Sequence, residues 1–371
     1  MNYTTKPFIF KVKKVLRYIR LYGPIRTLAK VRGQYHMIKP IATVDLAENE
    51  GKRSVAIIGC GNYAFNVIGY YLKRYKGNVI RAVLDIDENR ARNLSRILRA
   101  NYYTIDYEKI LKDDNVRLIY IASNHYSHAD YAIRALKANK HVHIEKPHVV
   151  NFEQLNSLHS AMLESKAKIR LGFNRPSSRF GQKILEALSK EEGSAMINWF
   201  VAGHRIEPNH WYFDDKEGGR VLGNLCHWTD FVYHMIGGDS AFPVKIIPAR
   251  HEKADCDIVV TFISRIGTIA TISFSAKGHT FEGVREKLNA HKGNTLITMS
   301  DYETLRIDIV DKKRVYKNIF RDHGHRNNIL KSFDLLENGR GESHSYIYNT
   351  AKFFLETKKS LDCNEIVTVN L

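Results

Sequence analysis

The chain has 371 residues, enough for two domains with substantial cores at the usual allowance of roughly 100 to 200 residues per domain. With 44% hydrophobic and 26% charged residues it has the composition of a soluble globular protein, and no apolar run approaches the roughly 20 residues that span a bilayer. The four cysteines lie far apart, which argues against a zinc site or a disulfide framework. We therefore expect no metal site, no signal peptide and a location in a reducing cytoplasm.

The N-terminal segment is strongly basic and contributes much of the formal net charge of +18: ten Lys and Arg residues and no acidic residue precede position 40. A helix predicted over 8–22 gathers four aliphatic side chains on one face: Val12, Val15, Leu16 and Ile19. Two interpretations stay open, a peripheral anchor at an anionic membrane surface and a helix packed on its own protein or on a partner. Nucleic acid is disfavoured because no nucleic-acid-binding fold accompanies the charge. We expect residues 1–50 to form this arm, including a connector that begins at 41.

From residue 54 onward, short apolar runs alternate with helical patterns, which is typical of βαβ units and a parallel sheet. The predicted strands are 54–59, 78–85, 116–122, 141–145 and 168–173. The predicted helices lie near 62–75, 88–99, 106–112, 126–139 and 152–165. These elements predict a Rossmann-type, doubly wound parallel sheet over residues 51–173.

After residue 173 the pattern changes. One strong helix near 224–236 is followed by a succession of predicted strands at 257–263, 267–275 and 294–300. Strands without intervening helices indicate an antiparallel sheet. Predicted helices near 324–338 and 346–359 and a short strand at 365–370 complete the chain. We expect residues 174–371 to form a C-terminal α+β domain with a large, mainly antiparallel open sheet, which binds substrate and makes homo-oligomer contacts.

The first predicted strand runs directly into the sequence GCGNYA, a G-x-G-x-x-A turn that opens a helix. In a dinucleotide site, Gly59 allows the tight turn, Gly61 leaves room for the pyrophosphate, and Ala64 lets helix and strand pack closely. The first helical N–H groups, around Asn62 and Tyr63, would then face the phosphates. Taken alone, the same pattern also fits an ordinary strand-to-helix turn.

The second predicted strand ends at Asp85, 24 residues after Gly61. A carboxylate at this place accepts hydrogen bonds from the hydroxyls of the adenosine ribose. It favours NAD, because it would repel a 2′-phosphate, while Arg90 and Arg92 keep NADP open as an alternative. Together, the turn and the carboxylate predict that residues 51–173 form a dinucleotide-binding domain with a nicotinamide dinucleotide as the cofactor.

Further motifs follow in order: Ser123-Asn124-His125, Glu145-Lys146-Pro147, and HWYFDDKEGGRVLGNLCHWTD at 210–230. With these motifs the chain resembles the Gfo/Idh/MocA oxidoreductases over about residues 54–371, and the basic arm lies outside the resemblance. The resemblance implies that four more residues belong to the cofactor site: Ser123, Asn124, His128 and Glu145.

The resemblance also implies two catalytic groups. In that family the lysine of the E-K-P motif reaches toward the nicotinamide and the substrate hydroxyl, which gives Lys146 this role. An X-Pro bond can be cis, and a proline after the strand end would fix Lys146 at the crevice where ligands bind. The second group is a histidine on a helix of the other domain, matched by His227. The aspartate that often precedes this histidine by four residues falls on Gly223, which is a departure.

The order H-W, G-G-R and C-H-x-x-D is similar to one branch of the family, whose members are frequently linked with sugar and surface-polysaccharide metabolism. The candidate substrate-binding residues are Arg175, Trp211, Arg220 and Asn224. Trp211 can stack on a sugar or base face, and the arginines can bind a phosphate or carboxylate. The alternatives are a core-edge tryptophan and arginines that cover a sheet or face solvent.

The resemblance implies an NAD-dependent dehydrogenase that acts on a sugar or nucleotide-linked sugar, with Lys146 stabilising the developing alkoxide and His227 taking the proton. One alternative is a catalytically silent NAD-binding regulator or assembly subunit, which Gly223 and the basic arm favour. Another is a glycoside hydrolase that uses bound NAD in a redox-neutral cycle. We expect a cytoplasmic protein whose arm allows a peripheral position at the inner membrane surface or contact with a partner protein.

Overall fold

The computed structural model describes residues 6–36, 53–204, 206–250, 256–278 and 281–371, so most of the predicted connector lies outside the described residues. Over these ranges, no helix combines the length and the apolar character needed to cross a bilayer. The chain divides into two compact units. The first comprises residues up to Val15, Pro24–Gly172 and Arg326–Ile347, and the second comprises Leu16–Gly23, Phe173–His325 and Tyr348–Leu371.

The first unit is built on a six-stranded sheet. Its strands are β1 (Val55–Ile58), β2 (Ile80–Leu84), β3 (Tyr102–Thr104), β4 (Leu118–Ile121), β5 (His141–Ile144) and β6 (Ile169–Leu171). They lie in the order β3-β2-β1-β4-β5-β6, and every pair is parallel. The predicted doubly wound parallel sheet is thereby confirmed. All four residues of β1 are buried, as expected for a strand covered by helices on both faces.

The helices that begin before β6 are α1 (Phe8–Tyr22), α2 (Pro24–His36), α3 (Tyr70–Tyr75), α4 (Glu88–Leu98), α5 (Tyr107–Leu111), α6 (His128–Lys137) and α7 (Phe152–Glu164). Three of them start at a side chain that accepts hydrogen bonds from the first helical N–H groups: Asp87, Asp106 and Asn151. A π-helical segment, Ala64–Gly69, precedes α3. The arm helices α1 and α2 are separated by Gly23, which has a positive φ of 77°.

The second unit contains a nine-stranded sheet. Its strands are β7 (Ala195–Ala202), β8 (Val244–Arg250), β9 (Ile258–Ser264), β10 (Ile269–Ser275), β11 (Arg285–Lys292), β12 (Thr295–Ser300), β13 (Thr304–Ile309), β14 (Lys312–Lys317) and β15 (Val367–Val369). The order is β14-β13-β12-β11-β7-β10-β9-β8-β15. Only β7 and β10 pair in parallel, so the sheet is mainly antiparallel, as predicted.

The remaining helices are α8 (Arg179–Ser189), α9 (Cys226–Met235), α10 (His325–Phe333), α11 (Leu335–Asn338) and α12 (His344–Cys363). Strand β7 shows how the sheet forms a core on one face: Ile197, Trp199 and Val201 are buried, while Met196 and Phe200 on the opposite face are about half exposed. The predicted helix near 324–338 is in fact two helices, α10 and α11.

Candidate active site

The glycine turn after β1 has the conformation that a dinucleotide site requires. Gly59 has a φ of +84°, and a Cβ atom there would lie 2.5 Å from the Ala122 carbonyl oxygen, so only glycine fits without a shift. A Cβ atom on Gly61, by contrast, would meet nothing within 4 Å. The turn therefore leaves open space against the backbone at Gly61, which is where a pyrophosphate is expected to approach.

Asp85 lies beside this turn at the end of β2. Its Oδ2 accepts a hydrogen bond from the Cys60 N–H at 2.7 Å, and its Oδ1 accepts one from the Asp87 N–H at 2.9 Å. These bonds fix the orientation of the carboxylate and leave it lone pairs for a ribose diol. Burial and the nearby Asp85 charge raise the pKa of the Cys60 thiol, so this thiol stays protonated. The open space at Gly61 and the oriented carboxylate of Asp85 fit an NAD molecule.

The E-K-P motif lies at the end of β5, and the Lys146–Pro147 peptide is cis. Glu145 is buried, and its Oε1 lies 3.0 Å from Nε2 of His143, whose Nδ1 lies 2.7 Å from the Ser332 hydroxyl. A Cβ atom on Gly172 would lie 2.6 Å from Oε2 of Glu145, so the neighbouring strand closes tightly on the same carboxylate. Lys146 itself is half-buried, on a strand end that these contacts hold in place.

Tyr63 connects the glycine turn to the E-K-P motif. Burial raises the pKa of its hydroxyl well above the ordinary value, and the charge of Glu145 and a hydrogen bond with that carboxylate act in the same direction. Tyr63 therefore stays neutral and can donate to Glu145. Its predicted role in the cofactor site is compatible with this position between the two motifs.

His128 joins the ends of two strands. Its Nδ1 lies 2.8 Å from the Pro147 carbonyl and its Nε2 lies 3.1 Å from the Ser123 carbonyl, in a position where only 1% of the residue is exposed. Burial lowers the pKa of this imidazole. The hydroxyl of Ser127 lies 2.7 Å from both Ser123 Oγ and Asn124 Oδ1. His128 is thus placed to position the loop of Ser123 and Asn124, and its predicted part in the cofactor site stays a prediction.

The arm helix α2 packs on the segment that follows the glycine turn, which the sequence did not indicate. Nε2 of His36 lies 3.0 Å from the Cys60 carbonyl, and its ring stacks on Phe65 with the ring centroids 4.8 Å apart. A Cβ atom on Gly33 would lie 2.2 Å from Nδ2 of Asn66. Burial lowers the pKa of His36, so the ring is neutral near pH 7. A glycine and a histidine on the inner face of α2 were the only hints of this contact.

His227 lies in the second unit, near the start of α9, and is half-buried. Its ring makes edge contacts with Phe173 and Trp228, at centroid distances of 6.3 and 6.0 Å. Gly223 is buried in a π-helical segment, Val221–Leu225, just before α9. The carboxylate three residues after the histidine, Asp230, is buried and accepts a hydrogen bond from the hydroxyl of Thr350 at 3.0 Å.

Arg175 forms a buried ion pair with Glu286. Its guanidinium donates to both carboxylate oxygens of Glu286, at 2.9 and 2.7 Å, and lies over the Trp228 ring at 4.2 Å from the centroid. Trp228 Nε1 donates to the same carboxylate at 2.8 Å. The guanidinium is buried and is already hydrogen-bonded to Glu286. Contact between Arg175 and an anionic substrate stays a prediction. The observed contacts favour a role in positioning Trp228, the neighbour of His227.

The other three candidate substrate residues also lie in the second unit. Arg220 is buried and donates to the His204 carbonyl at 3.0 Å and to Oδ1 of Asn224 at 3.2 Å. Arg220 therefore orients Asn224, which is half-buried. Trp211 is 43% exposed in a short helical turn, with its ring 4.5 Å from that of Tyr212. Its exposed aromatic surface is suited to stacking on a sugar ring.

The family model described as an oxidoreductase family with an NAD-binding Rossmann fold matches residues 53–173. This range contains the glycine turn, Asp85 and the E-K-P motif described above. Over residues 53–173, the chain is thus similar to the Gfo/Idh/MocA oxidoreductases. The first unit thus contains an NAD-binding Rossmann domain.

Individual proteins agree with this assignment. The chain is 30% identical to oxidoreductase P35 of Formosa agariphila over 198 residues, which are 51% of this chain and 62% of that protein. It is 26% identical to the myo-inositol 2-dehydrogenase of Thermotoga maritima over 183 residues, 49% of this chain and 54% of that enzyme. The matched segments thus span less than two thirds of either relative.

The fold extends further than the sequence similarity. A levoglucosan dehydrogenase solved with NADH and levoglucosan superimposes with a TM-score of 0.74 at 15% identity, covering 86% of this chain and all of that chain (100%). At this identity the similarity shows the fold alone. It supports a fold in which a Rossmann sheet is followed by a large, mainly antiparallel sheet.

Glu286 is the main site residue that the sequence did not reveal. In β11, Arg285–Lys292, buried and exposed positions alternate, and Glu286 is in phase with the buried Leu288 and Ala290. A glutamate in an inward position of a half-buried strand is a signal for a buried ion pair. That alternation could have identified Glu286 from the sequence.

Proposed function

We propose that the chain is an NAD-dependent dehydrogenase or reductase that acts on a sugar CH–OH or keto group. The observation that carries the proposal is the position of Lys146. This lysine follows β5 in the same unit as the open turn at Gly61 and the oriented carboxylate of Asp85, and the buried Glu145 beside it is held by His143. Ligands of open parallel sheets bind at the carboxyl ends of the strands, where all of these residues lie.

Gly59, Gly61 and Asp85 would hold the cofactor, which supplies a hydride acceptor when it is bound. In the oxidation, the Lys146 ammonium donates a hydrogen bond to the reacting hydroxyl oxygen and stabilises the negative charge that develops there. His227 takes the hydroxyl proton as a general base, a task suited to an imidazole. The carbinol carbon loses its hydrogen with both electrons and becomes a carbonyl carbon. The reverse reduction uses the same groups in reverse order.

For the substrate we propose a sugar or nucleotide-linked sugar of the kind used in surface-polysaccharide metabolism. The exposed ring of Trp211 supports a sugar face, and Asn224, which is oriented by Arg220, offers an amide to sugar hydroxyls. The relatives named inositol and levoglucosan dehydrogenases act on cyclic polyhydroxylated compounds, which is consistent with this class. The branch-like order of the H-W, G-G-R and C-H-x-x-D motifs supports the polysaccharide context.

The test follows reduced-cofactor absorbance across a panel of free sugars, inositols and nucleotide-linked sugars, with NAD and NADP in parallel. We expect turnover with NAD, and we expect Lys146→Met and His227→Asn each to lower it about 10²- to 10⁴-fold. The matched controls are Lys166→Met, an exposed lysine, and His234→Asn, a half-buried histidine on the same helix as His227, and both should leave turnover unchanged.

Two other outcomes would contradict the proposal. Firm NAD binding without turnover on any member of the panel would favour a silent regulator, the function that Gly223 suggests. Cleavage of glycosides without net reduction of the cofactor would favour a redox-neutral hydrolase instead. Either result would leave the assignment of the Rossmann domain intact.

We also propose that the chain forms a homo-oligomer through the outer face of the nine-stranded sheet. The strand register places four apolar side chains on one face of the sheet: Met196, Phe200, Val259 and Leu296. Each of them is between 39% and 52% exposed. An apolar group of this kind on a sheet face is typical of a subunit interface. Phe200→Glu should lower the mass measured by light scattering to that of one chain, and an unchanged mass would contradict this proposal.

A further inference from the structure

Helix α1 presents its most apolar face to solvent. Five apolar side chains of this face are exposed: Phe8 (78%), Ile9 (68%), Val12 (40%), Leu16 (62%) and Ile19 (38%). At about 100° per residue they fall within one arc of roughly 100° on the helix surface. A helix that packs on its own protein through an apolar stripe would bury this arc, and α1 does not.

The opposite face of α1 is the one that packs. Lys14 and Leu21 are buried there, with 6% and 4% of each residue exposed. Within the second unit, Arg17 donates to Glu282 at 2.7 Å, and the Leu21 carbonyl accepts from the Arg321 N–H at 2.7 Å. A lysine, an ion-paired arginine and one leucine therefore hold the helix in place, while the five apolar side chains of the other face point to solvent. The helix therefore packs on its own protein through its basic face, and its apolar face is left exposed.

The charged side chains of α1 that border its exposed face are all positive. Lys13 and Arg20 are exposed on one border of the apolar arc, and Lys11 lies on the other. No acidic residue precedes position 40. An apolar stripe bordered by cations, on a helix that has no acidic residue of its own, is the pattern of helices that lie in the interface of an anionic bilayer.

The second arm helix has a related surface. Ile25 and Leu28 of α2 are 58% and 52% exposed, and they line an open pocket of about 400 Å³ between α2 and the helices after the glycine turn. Its walls are mostly aliphatic and aromatic, and the charged side chains that line it are cationic: Arg32, Lys73 and Arg74. An apolar cleft with a cationic border fits an acyl chain below an anionic headgroup.

We propose that the N-terminal arm docks the protein on an anionic lipid surface, with the exposed face of α1 inserted among the headgroups and the pocket beside α2 in contact with lipid. Charge complementarity selects this occupant. A second copy of the chain would place two basic arms against each other in an isologous contact, and their like charges would oppose association. A phosphatidylglycerol surface, by contrast, supplies both the negative charge and the apolar phase.

The experiment is vesicle flotation of the full-length chain. Vesicles of phosphatidylglycerol with phosphatidylcholine are compared with vesicles of phosphatidylcholine alone, at low and high salt. We expect binding to the anionic vesicles only, weakened by salt because the charge contribution is screened. Lys13→Glu with Arg20→Glu should reduce the partition coefficient about tenfold or more, since each cation near such a surface contributes about fivefold.

Two control variants, one for the apolar face and one for the charge, keep the test specific. Leu16→Glu should abolish vesicle binding, whereas Leu163→Glu, a 64% exposed leucine on α7, should not change it. Lys137→Glu with Lys166→Glu alters net charge by the same amount as the arm double variant, at exposed positions outside the arm, and should retain most of the binding.

Wild-type chain that floats equally with both vesicle types, or with neither, would overturn the proposal. Concentration-dependent self-association that Leu16→Glu removes would overturn it as well, in favour of a second copy as the occupant. NAD binding by each variant shows that it is folded. Because no sugar turnover is measured, the result is independent of the proposed enzymatic function.

Discussion

Replacing Glu286 with glutamine should strongly destabilise the second unit. The Glu286 carboxylate accepts two hydrogen bonds from Arg175, at 2.9 and 2.7 Å, and one from Trp228 Nε1 at 2.8 Å. The two charged side chains are only 8% and 1% exposed. Glutamine keeps the size of the side chain but removes its charge, so the Arg175 guanidinium would be left buried without a counter-ion.

The size of the effect follows from that burial. Removing one partner of a buried ion pair costs about 3 to 5 kcal/mol, because the remaining charge has already lost its hydration. Replacing both partners by apolar residues of similar size, as in Arg175→Met with Glu286→Met, should cost far less. A strong coupling between the two sites in a double-mutant cycle is therefore expected.

Tryptophan fluorescence during urea unfolding is the appropriate assay. The chain has three tryptophans, Trp199, Trp211 and Trp228, and all lie in the second unit, so the signal reports the unit that contains the ion pair. Asp308→Asn, which removes an exposed ion pair from β13, is the control and should hardly move the midpoint. A loss of less than about 1 kcal/mol for Glu286→Gln, the size typical of exposed pairs, would refute the reasoning.

Three further outcomes are expected. Gly61→Ala should weaken NAD binding at least about tenfold without lowering the melting temperature, because its Cβ atom has space in the protein but not against a pyrophosphate, whereas Gly59→Ala should lower the melting temperature. Asp85→Asn should reduce the preference for NAD over NADP in binding titrations. Burial lowers the pKa of His148 from 6.5 to about 4, so the unfolded chain binds its proton first as the pH falls, and stability should drop by about 2 kcal/mol between pH 7 and pH 5. His148→Gln should remove that part of the pH dependence of the urea midpoint, measured by circular dichroism.

The strands of the Rossmann sheet were predictable where burial on both faces produces a continuous apolar run, as in β1 and β4. Strand β3, Tyr102–Thr104, was not predicted, because three partly polar residues are too few to show a hydrophobic alternation. Helix α8 was missed because its apolar residues follow a loop rich in Ser and Arg. Strand β14, Lys312–Lys317, is almost entirely exposed, so hydrophobic alternation could not reveal it.

The cofactor turn was predictable because glycine and aspartate are required there by backbone geometry and ribose recognition. The hydrogen-bond partners of buried side chains were less predictable, since they depend on contacts between segments that are distant in the sequence. Arg175 and Glu286 are 111 residues apart, and only the fold brings the guanidinium onto the carboxylate. The amphipathic pattern of α1 was visible in the sequence, but which face would pack was not.

The central claim is that a sugar carbon transfers its hydrogen to bound nicotinamide, assisted by Lys146 and His227. The direct measurement is a single turnover of the NAD-loaded chain with a substrate from the panel that is deuterated at the reacting carbon, followed by mass spectrometry of the cofactor. The account predicts one deuterium in the reduced cofactor, formed about 10²- to 10⁴-fold more slowly in Lys146→Met and His227→Asn. Reduced cofactor without the label, or labelling at an unchanged rate in both variants, would contradict it.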